Sequence, residues 1–188
     1  HSLFFREDFS ITILMYHRVG EGIPMELAVR PKDFLWHMDY LKKGRYKVIS
    51  MDDAYNMMVD GQIDDRYVVI SFDDGYLDFY ENAYPILKRY SYPSIVYVVP
   101  AYIQSGEPFW WDREGEDNSL IDMETLVKLS ADGLVTVGSH TMNHIDMDML
   151  NRELLEYELK ESKKILEEHL GKEVRHFAYP RGIYSNKG

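Results

Sequence analysis

The sequence predicts an α/β fold built on a parallel sheet, and two observations carry this prediction. Short runs of β-branched and aromatic residues alternate with segments whose apolar residues recur at helical spacing. The chain has 188 residues, of which 45% are hydrophobic, so a single domain can bury a substantial core. We therefore expect parallel strands that are joined by helical crossovers.

The first half of the chain contains three predicted strands with helices between them. Pro31 suits the first turn of a helix, which continues with apolar residues at helical spacing until Gly44 ends it. Asp52 can cap a second, shorter helix that extends to Val59. The strands are predicted at residues 11–16, 46–50 and 67–72.

The second half continues this alternation with one interruption. A helix should begin near Asn82, because Pro85 is tolerated best in a first turn. Further helices are predicted over 122–130 and 151–169, and the many charges of the latter predict a solvent-exposed face. Residues 100–118 are predicted to form a long loop, a feature that is often functional. The strands are predicted at residues 94–99, 134–137 and 174–178.

Composition excludes several classes of protein and site. The sequence contains no cysteine, which excludes disulfides, thiolate metal ligands and a cysteine nucleophile. A net charge of −11 disfavours nucleic acids and anionic membranes as partners. No apolar run reaches the roughly 18–20 residues of a transmembrane helix, and the first residues do not read as a signal peptide.

Two neighbouring carboxylates, Asp73 and Asp74, directly follow the predicted strand 67–72. Consecutive strand residues point to opposite faces, so both carboxylates can face one site only where the strand has ended. Gly75 comes next and permits a sharp turn. Ligands of parallel α/β folds bind at the carboxyl ends of the strands, which makes the pair a candidate site. The alternative is a turn or a helix cap.

Two histidines, His140 and His144, follow the predicted strand 134–137. Their spacing allows both imidazoles to lie on one face of a helical turn and to bind one ion. Two imidazoles and one carboxylate leave a metal ion with open positions, as in catalytic sites. These ligands suit zinc, with cobalt, nickel or iron as alternatives. The other interpretation is that the two histidines are hydrogen-bonded packing residues.

The two motifs together resemble those of a known family. Residues 71–75, Ser-Phe-Asp-Asp-Gly, and 139–144, Ser-His-Thr-Met-Asn-His, resemble the NodB-homology polysaccharide deacetylases of carbohydrate esterase family 4. Residues 15–19, Met-Tyr-His-Arg-Val, and 177–180, Phe-Ala-Tyr-Pro, resemble the branch that includes poly-N-acetylglucosamine deacetylases. The resemblance implies a distorted (β/α)7-type barrel, with 1–188 as a single catalytic domain that lacks its C-terminal elements.

The resemblance also implies an activity and roles for individual residues. The activity would be the metal-dependent hydrolysis of N-acetyl groups from a polysaccharide that contains N-acetylglucosamine. Asp74, His140 and His144 would bind a divalent metal, most simply zinc, and Asp73 would be the general base. The backbone N–H of Arg181 would stabilise the oxyanion. A polymer of this kind implies an extracellular or cell-envelope location.

Six residues are candidates for the substrate site. The resemblance implies Tyr179, Pro180 and Arg181, and the positions of His17, Trp110 and Trp111 at a strand end and in the long loop add these three. An aromatic ring fits the apolar face of a pyranose, so Trp110 and Trp111 can form a platform for the sugar. Alternatively, the two tryptophans anchor the long loop. His17 either lines the pocket or is a hydrogen-bonded core histidine.

The sequence departs from the family pattern in two places. Ala178 stands where the family commonly has an arginine that pairs with the catalytic aspartate, so Arg18 or Arg181 would have to approach Asp73 from elsewhere. The family's general-acid histidine lies in a segment that would follow residue 188, from which we expect a fragment. These departures keep open a non-catalytic or carbohydrate-binding relative that retains the metal. A two-carboxylate glycosidase is a third alternative, although it leaves the histidine pair unexplained.

Overall fold

A parallel sheet forms the centre of the computed structural model, which describes residues 9–23, 28–112 and 117–183. Four strands lie side by side in the order β1 (Ser10–Tyr16), β5 (Arg66–Phe72), β6 (Ser94–Val98) and β7 (Val135–Ser139). A short β4 (Lys47–Val48) pairs with β5, and β2 (Arg18–Val19) pairs separately with β3 (Ala28–Val29). These ladders are parallel, which confirms the sequence prediction.

Helices connect the strands, and polar side chains cap several of them. The helices are α1 (Pro31–Lys43), α2 (Met51–Asp60), α3 (Tyr84–Tyr90), α4 (Pro100–Ser105), α5 (Met123–Ala131) and α6 (Arg152–Leu170). Ser50, Asp122 and Asn151 accept a backbone N–H from the first turns of α2, α5 and α6, respectively. A π-helical turn over Phe79–Ala83 precedes α3, which leaves Pro85 in the first turn of that helix. None of these helices is long and apolar enough to cross a membrane.

The two faces of β5 pack in different apolar clusters. One face consists of Val68, Ile70 and Phe72. It packs between the sheet and the helices, with residues such as Phe34 of α1 and Leu126 of α5. Val69 lies on the opposite face with Ile95 of β6. Because the Asp73 N–H continues the ladder to Tyr16 O at 2.9 Å, the Asp73 side chain follows Val69 onto this second face.

Two of the segments that differ from the sequence prediction contribute residues to the site. The predicted loop 100–118 begins with the helix α4, because Pro100 suits a first turn and Gly106 ends it in the left-handed region; residues 113–116 of that loop lie outside the described part. Among the described residues, the predicted strand 174–178 forms a single bridge, between Phe177 and Ser139. Even so, Ala178 N donates to Ser139 O at 3.0 Å, which brings residue 178 beside the end of β7.

Position 75 requires a glycine because of its backbone conformation and because of its close neighbours. Its φ is +81°, and a Cβ at this position would lie 2.9 Å from Val98 Cγ1. Val98 is fully buried and β-branched, so its side chain cannot move aside. We expect Gly75→Ala to lower the free energy of unfolding by about 1–2 kcal/mol through the left-handed φ and by about 1–3 kcal/mol more through overpacking.

Gly61 provides the matched control for this measurement by urea denaturation. Its φ is +66°, and a Cβ there would meet nothing within 4 Å. Gly61→Ala should therefore cost only the conformational part, about 1–2 kcal/mol. Equal losses of stability in the two variants would contradict the packing argument.

Candidate active site

Three predicted metal ligands converge at the carboxyl ends of two strands. Asp74 follows β5, and His140 and His144 follow β7. One potential ligand atom of each lies within 4.8 Å of the other two. Asp74 Oδ1 is 3.3 Å from His144 Nε2 and 3.7 Å from His140 Nε2. The structure thus brings together the three side chains that the sequence singled out.

The backbone turns sharply at the end of β5, which allows both carboxylates to face one site. Asp74 has a φ of +74° and Gly75 a φ of +81°, so the chain leaves the extended conformation directly after Asp73. Aspartate is one of the few residues other than glycine that tolerate this region. As a result, both Asp73 and Asp74 line the same cavity, although they are neighbours in sequence.

A backbone carbonyl fixes the orientation of His140. The Nδ1–H of His140 donates to Ala178 O at 2.9 Å, which leaves the Nε2 lone pair directed toward Asp74. Burial lowers the pKa of His140 to about 4, so the imidazole is neutral at neutral pH. A neutral imidazole with a fixed tautomer is the form that binds metal ions.

The Asp74 carboxylate provides a test of whether these residues fit a cation. Its Oδ1 atom is buried and receives no hydrogen bond from the described residues. A buried carboxylate oxygen without a donor is unfavourable. A divalent cation among the three side chains would satisfy this oxygen, and two imidazole nitrogens with one carboxylate oxygen suit zinc or a similar metal. The residues therefore fit the expected ion.

Asp73 is the second carboxylate of the site. Its side chain is largely buried, and burial, with the charge of Asp74 as the smaller cause, raises the pKa of Asp73 to about 7. Within the described chain, neither arginine nor lysine forms an ion pair with it. A carboxyl group of this pKa can both accept and release a proton near neutrality.

The hypothesis that Arg18 or Arg181 replaces the missing arginine is wrong. Arg18 Nε donates to Asp78 Oδ2 at 2.7 Å, and its guanidinium lies over the Tyr76 ring. Arg181 instead forms a bidentate ion pair with Asp146, in which Nε donates to Oδ1 at 2.8 Å and Nη2 donates to Oδ2. Both guanidinium groups are thus bound to aspartates other than Asp73.

The metal-ligand candidates lie in a cavity of about 640 Å³. Five of the six predicted substrate residues line it, namely His17, Trp110, Trp111, Tyr179 and Arg181. Pro180 is buried and is not part of the lining. Burial lowers the pKa of His17, whose Nδ1 atom has no hydrogen-bond partner among the described residues. His17 therefore lies at the pocket in its neutral form.

The two tryptophans have different environments. Trp111 donates from Nε1 to Tyr76 Oη at 3.1 Å, and its ring centroid is 4.5 Å from that of His144. Asp112 accepts from Tyr76 Oη at 2.7 Å, which fastens the same loop. Trp110, by contrast, is 73% exposed. Trp111 thus fits the anchoring interpretation, whereas Trp110 presents a free aromatic surface at the cavity.

Glu158 was not among the predicted site residues, because it is one of the charged residues of the helix 151–169, whose charges predicted a solvent-exposed face. Glu158 is only 3% exposed, and its carboxylate accepts three hydrogen bonds from residues between the two histidines. The sequence does contain a signal for its burial. Glu158 lies at helical spacing from Ser162 and Leu166, both of which are buried.

Comparisons with known proteins show the family to which the chain belongs. The sequence model of the polysaccharide deacetylase family matches residues 60–187. The chain is 28% identical over 178 residues to YxkH of Bacillus subtilis (strain 168), whose name assigns it to the same family, covering 94% of this chain and 58% of YxkH. It is 25% identical over 171 residues to the poly-beta-1,6-N-acetyl-D-glucosamine N-deacetylase of Staphylococcus aureus (strain MRSA252), covering 85% of this chain and 55% of that enzyme.

Solved structures give the same result for the fold. The Streptococcus pyogenes deacetylase PplD, solved in complex with acetate, superposes with a TM-score of 0.82 at 26% identity. IcaB from Ammonifex degensii superposes with a TM-score of 0.78 at 25% identity, and each comparison covers 94% of this chain and 76% of the other. The chain spans a little over half the length of the curated relatives. These comparisons confirm the predicted α/β fold and the family resemblance of the motifs. The chain belongs to the polysaccharide deacetylase family, of the NodB-homology type.

Proposed function

We propose that residues 1–188 form one catalytic domain, which hydrolyses N-acetyl groups of an N-acetylglucosamine-containing polysaccharide in a metal-dependent reaction. The observation that carries this proposal is the buried Asp74 carboxylate, which faces two imidazoles and has Asp73 beside it in one cavity. The name of the Staphylococcus aureus relative supports the substrate class. Since such polymers lie outside the cell, we further propose an extracellular or cell-envelope location.

Asp74, His140 and His144 would hold the ion, with zinc as the first candidate and cobalt, nickel or iron as alternatives. When bound, a divalent cation would supply Lewis-acid chemistry, which makes water more acidic and an acetyl carbonyl more electrophilic. The neutral, oriented imidazole of His140 supports this assignment.

Asp73 would accept the proton of the water that attacks the acetyl carbon. Its position beside the three ligands suits a general base. Burial raises the pKa of Asp73 to about 7 in the metal-free protein, and a bound cation would lower this pKa, which would keep the carboxylate ionised near neutrality. The backbone N–H of Arg181 would donate to the developing oxyanion. The ion pair with Asp146 supports this role, because it fixes Arg181 at the wall of the cavity.

The cavity is suited to a sugar ring. Its volume of about 640 Å³ lies within the range of roughly 300–1,000 Å³ that is usual for ligand pockets. The exposed ring of Trp110 offers an apolar surface for a pyranose, and Tyr179 lies at the same cavity. An N-acetylated glycan is therefore the partner that we propose.

Chelation with metal add-back tests the metal-dependent reaction. We expect the full-length protein to release acetate from an N-acetylglucosamine oligomer, and we expect dialysis against a chelator to reduce this release to background. Zinc or cobalt should restore it, because Lewis-acid activation contributes several kcal/mol to such reactions. A chelated protein that keeps its full rate of acetate release would refute metal dependence. Metal-independent cleavage of the oligomer without acetate release would instead favour a two-carboxylate glycosidase.

One observation favours a second candidate function. With Ala178 in place of the family's arginine, Asp73 has no cationic partner among the described residues. A carbohydrate-binding relative that retains the metal but does not catalyse the reaction would need no cationic partner for Asp73. Such a relative would bind both the metal and the oligosaccharide but would release no acetate.

A further inference from the structure

We infer that Glu158 is a positioning residue of the metal site formed by Asp74, His140 and His144. Its buried carboxylate holds the backbone of residues 140–144, the ligand loop, in the shape that directs both imidazoles toward Asp74. This inference rests on the proposed function, since it concerns the same metal site.

The contacts of Glu158 lie within the ligand loop. Its Oε2 atom accepts the backbone N–H of Met142 at 2.8 Å and that of Asn143 at 2.9 Å. Its Oε1 atom accepts from Asn143 Nδ2 at 2.7 Å. No arginine or lysine of the described chain pairs with Glu158. The loop itself thus provides the donors for this buried carboxylate, and both oxygens are used.

The ligand loop needs such support because two of its residues adopt an unfavourable backbone conformation. Thr141 has a φ of +66° and His144 a φ of +54°, and neither is a glycine. Such conformations persist only where surrounding contacts impose them. Two contacts do so here: the Glu158 carboxylate between these residues, and a bond from His144 N to Thr141 Oγ1 at 2.9 Å.

Helix α6 provides a second polar contact one turn further on. Ser162 Oγ donates to Glu158 O at 2.7 Å and lies 2.7 Å from Ser139 Oγ. Both serine side chains are buried, and Ser139 immediately precedes His140. Helix α6 therefore contacts the chain before His140 through Ser162 and after it through Glu158. The position of His140 depends on this helix as well as on the end of β7.

A matched set of variants of the full chain separates positioning from general stability. Glu158→Ala removes both acceptor oxygens, whereas Glu158→Gln keeps one oxygen that can still accept the two backbone N–H groups. Glu168→Gln, at an exposed position of the same helix, is the control for the loss of a negative charge. The readouts are zinc affinity, measured by competition with a chromogenic chelator, and the visible absorption spectrum of the cobalt-loaded protein. Both are measured well below the unfolding temperature of each variant.

We expect Glu158→Ala to weaken zinc binding by about 10–100-fold, the range seen when residues that support metal ligands are removed. Its cobalt spectrum should differ from that of the wild type, because the imidazoles no longer keep their geometry. Glu158→Gln should recover most of the affinity, and Glu168→Gln should match the wild type.

The outcomes separate this inference from the proposed function. A wild type that binds no divalent cation refutes the proposed function and this inference with it. If the wild type binds zinc and folded Glu158→Ala binds it equally well with the same cobalt spectrum, only the inference fails. Should Glu158→Ala not fold, Glu158→Asp decides, since it keeps the charge but cannot reach both backbone N–H groups. Unchanged zinc affinity in that variant overturns the positioning role.

Discussion

Asp74→Asn is expected to abolish zinc binding and to lower acetate release by about a thousandfold or more. The substitution keeps the shape of the side chain but replaces the only anionic member of the proposed ligand set by a neutral amide. Loss of a Lewis acid that is worth several kcal/mol corresponds to a decrease of this size. Elemental analysis of the purified variant and an acetate-release assay measure the two effects.

The stability of the metal-free protein provides a second test of the same ligand assignment. Asp74 Oδ1 is buried without a hydrogen-bond donor among the described residues, so the metal-free wild type carries an unfavourable buried charge. Asp74→Asn should therefore be at least as stable as the wild type without metal, and zinc should raise the unfolding temperature of the wild type but not that of Asp74→Asn. Asp60→Asn, at an exposed position, is the control. Normal metal content and turnover in Asp74→Asn would contradict the ligand assignment.

Local sequence signals were sufficient for the elements that position the site. An apolar strand, two carboxylates and a glycine predict a break after β5, and the structure shows it as left-handed backbone at Asp74 and Gly75. The position of the two histidines just past the end of β7 was informative as well. In parallel folds the carboxyl ends of neighbouring strands share one edge, so residues distant in sequence can be expected to meet there.

Contacts between distant segments could not be predicted from local sequence signals. Arg18 pairs with Asp78, sixty residues later, and nothing in the local sequence distinguishes this aspartate from Asp73 as a partner. Glu158 lies on the buried stripe of α6, yet its burial depends on donors that a different segment provides. The segment 174–178 has the composition of a strand but forms one bridge with the part of the chain that the structure describes, because pairing depends on its neighbour rather than on its own propensity.

Asp73→Asn is expected to lower kcat by about 10²–10⁴-fold while zinc binding persists, because the general base acts in the transition state and is not a ligand. The KM for an N-acetylglucosamine oligomer should change little, since the amide side chain of this variant would occupy the same space at the cavity wall. This pattern differs from that of Asp74→Asn, in which metal and activity disappear together, so the two neighbouring carboxylates have separable roles. Turnover by Asp73→Asn at the wild-type rate would refute the base assignment. Absence of turnover in the full-length wild type, with metal and oligosaccharide bound, would instead favour the carbohydrate-binding relative.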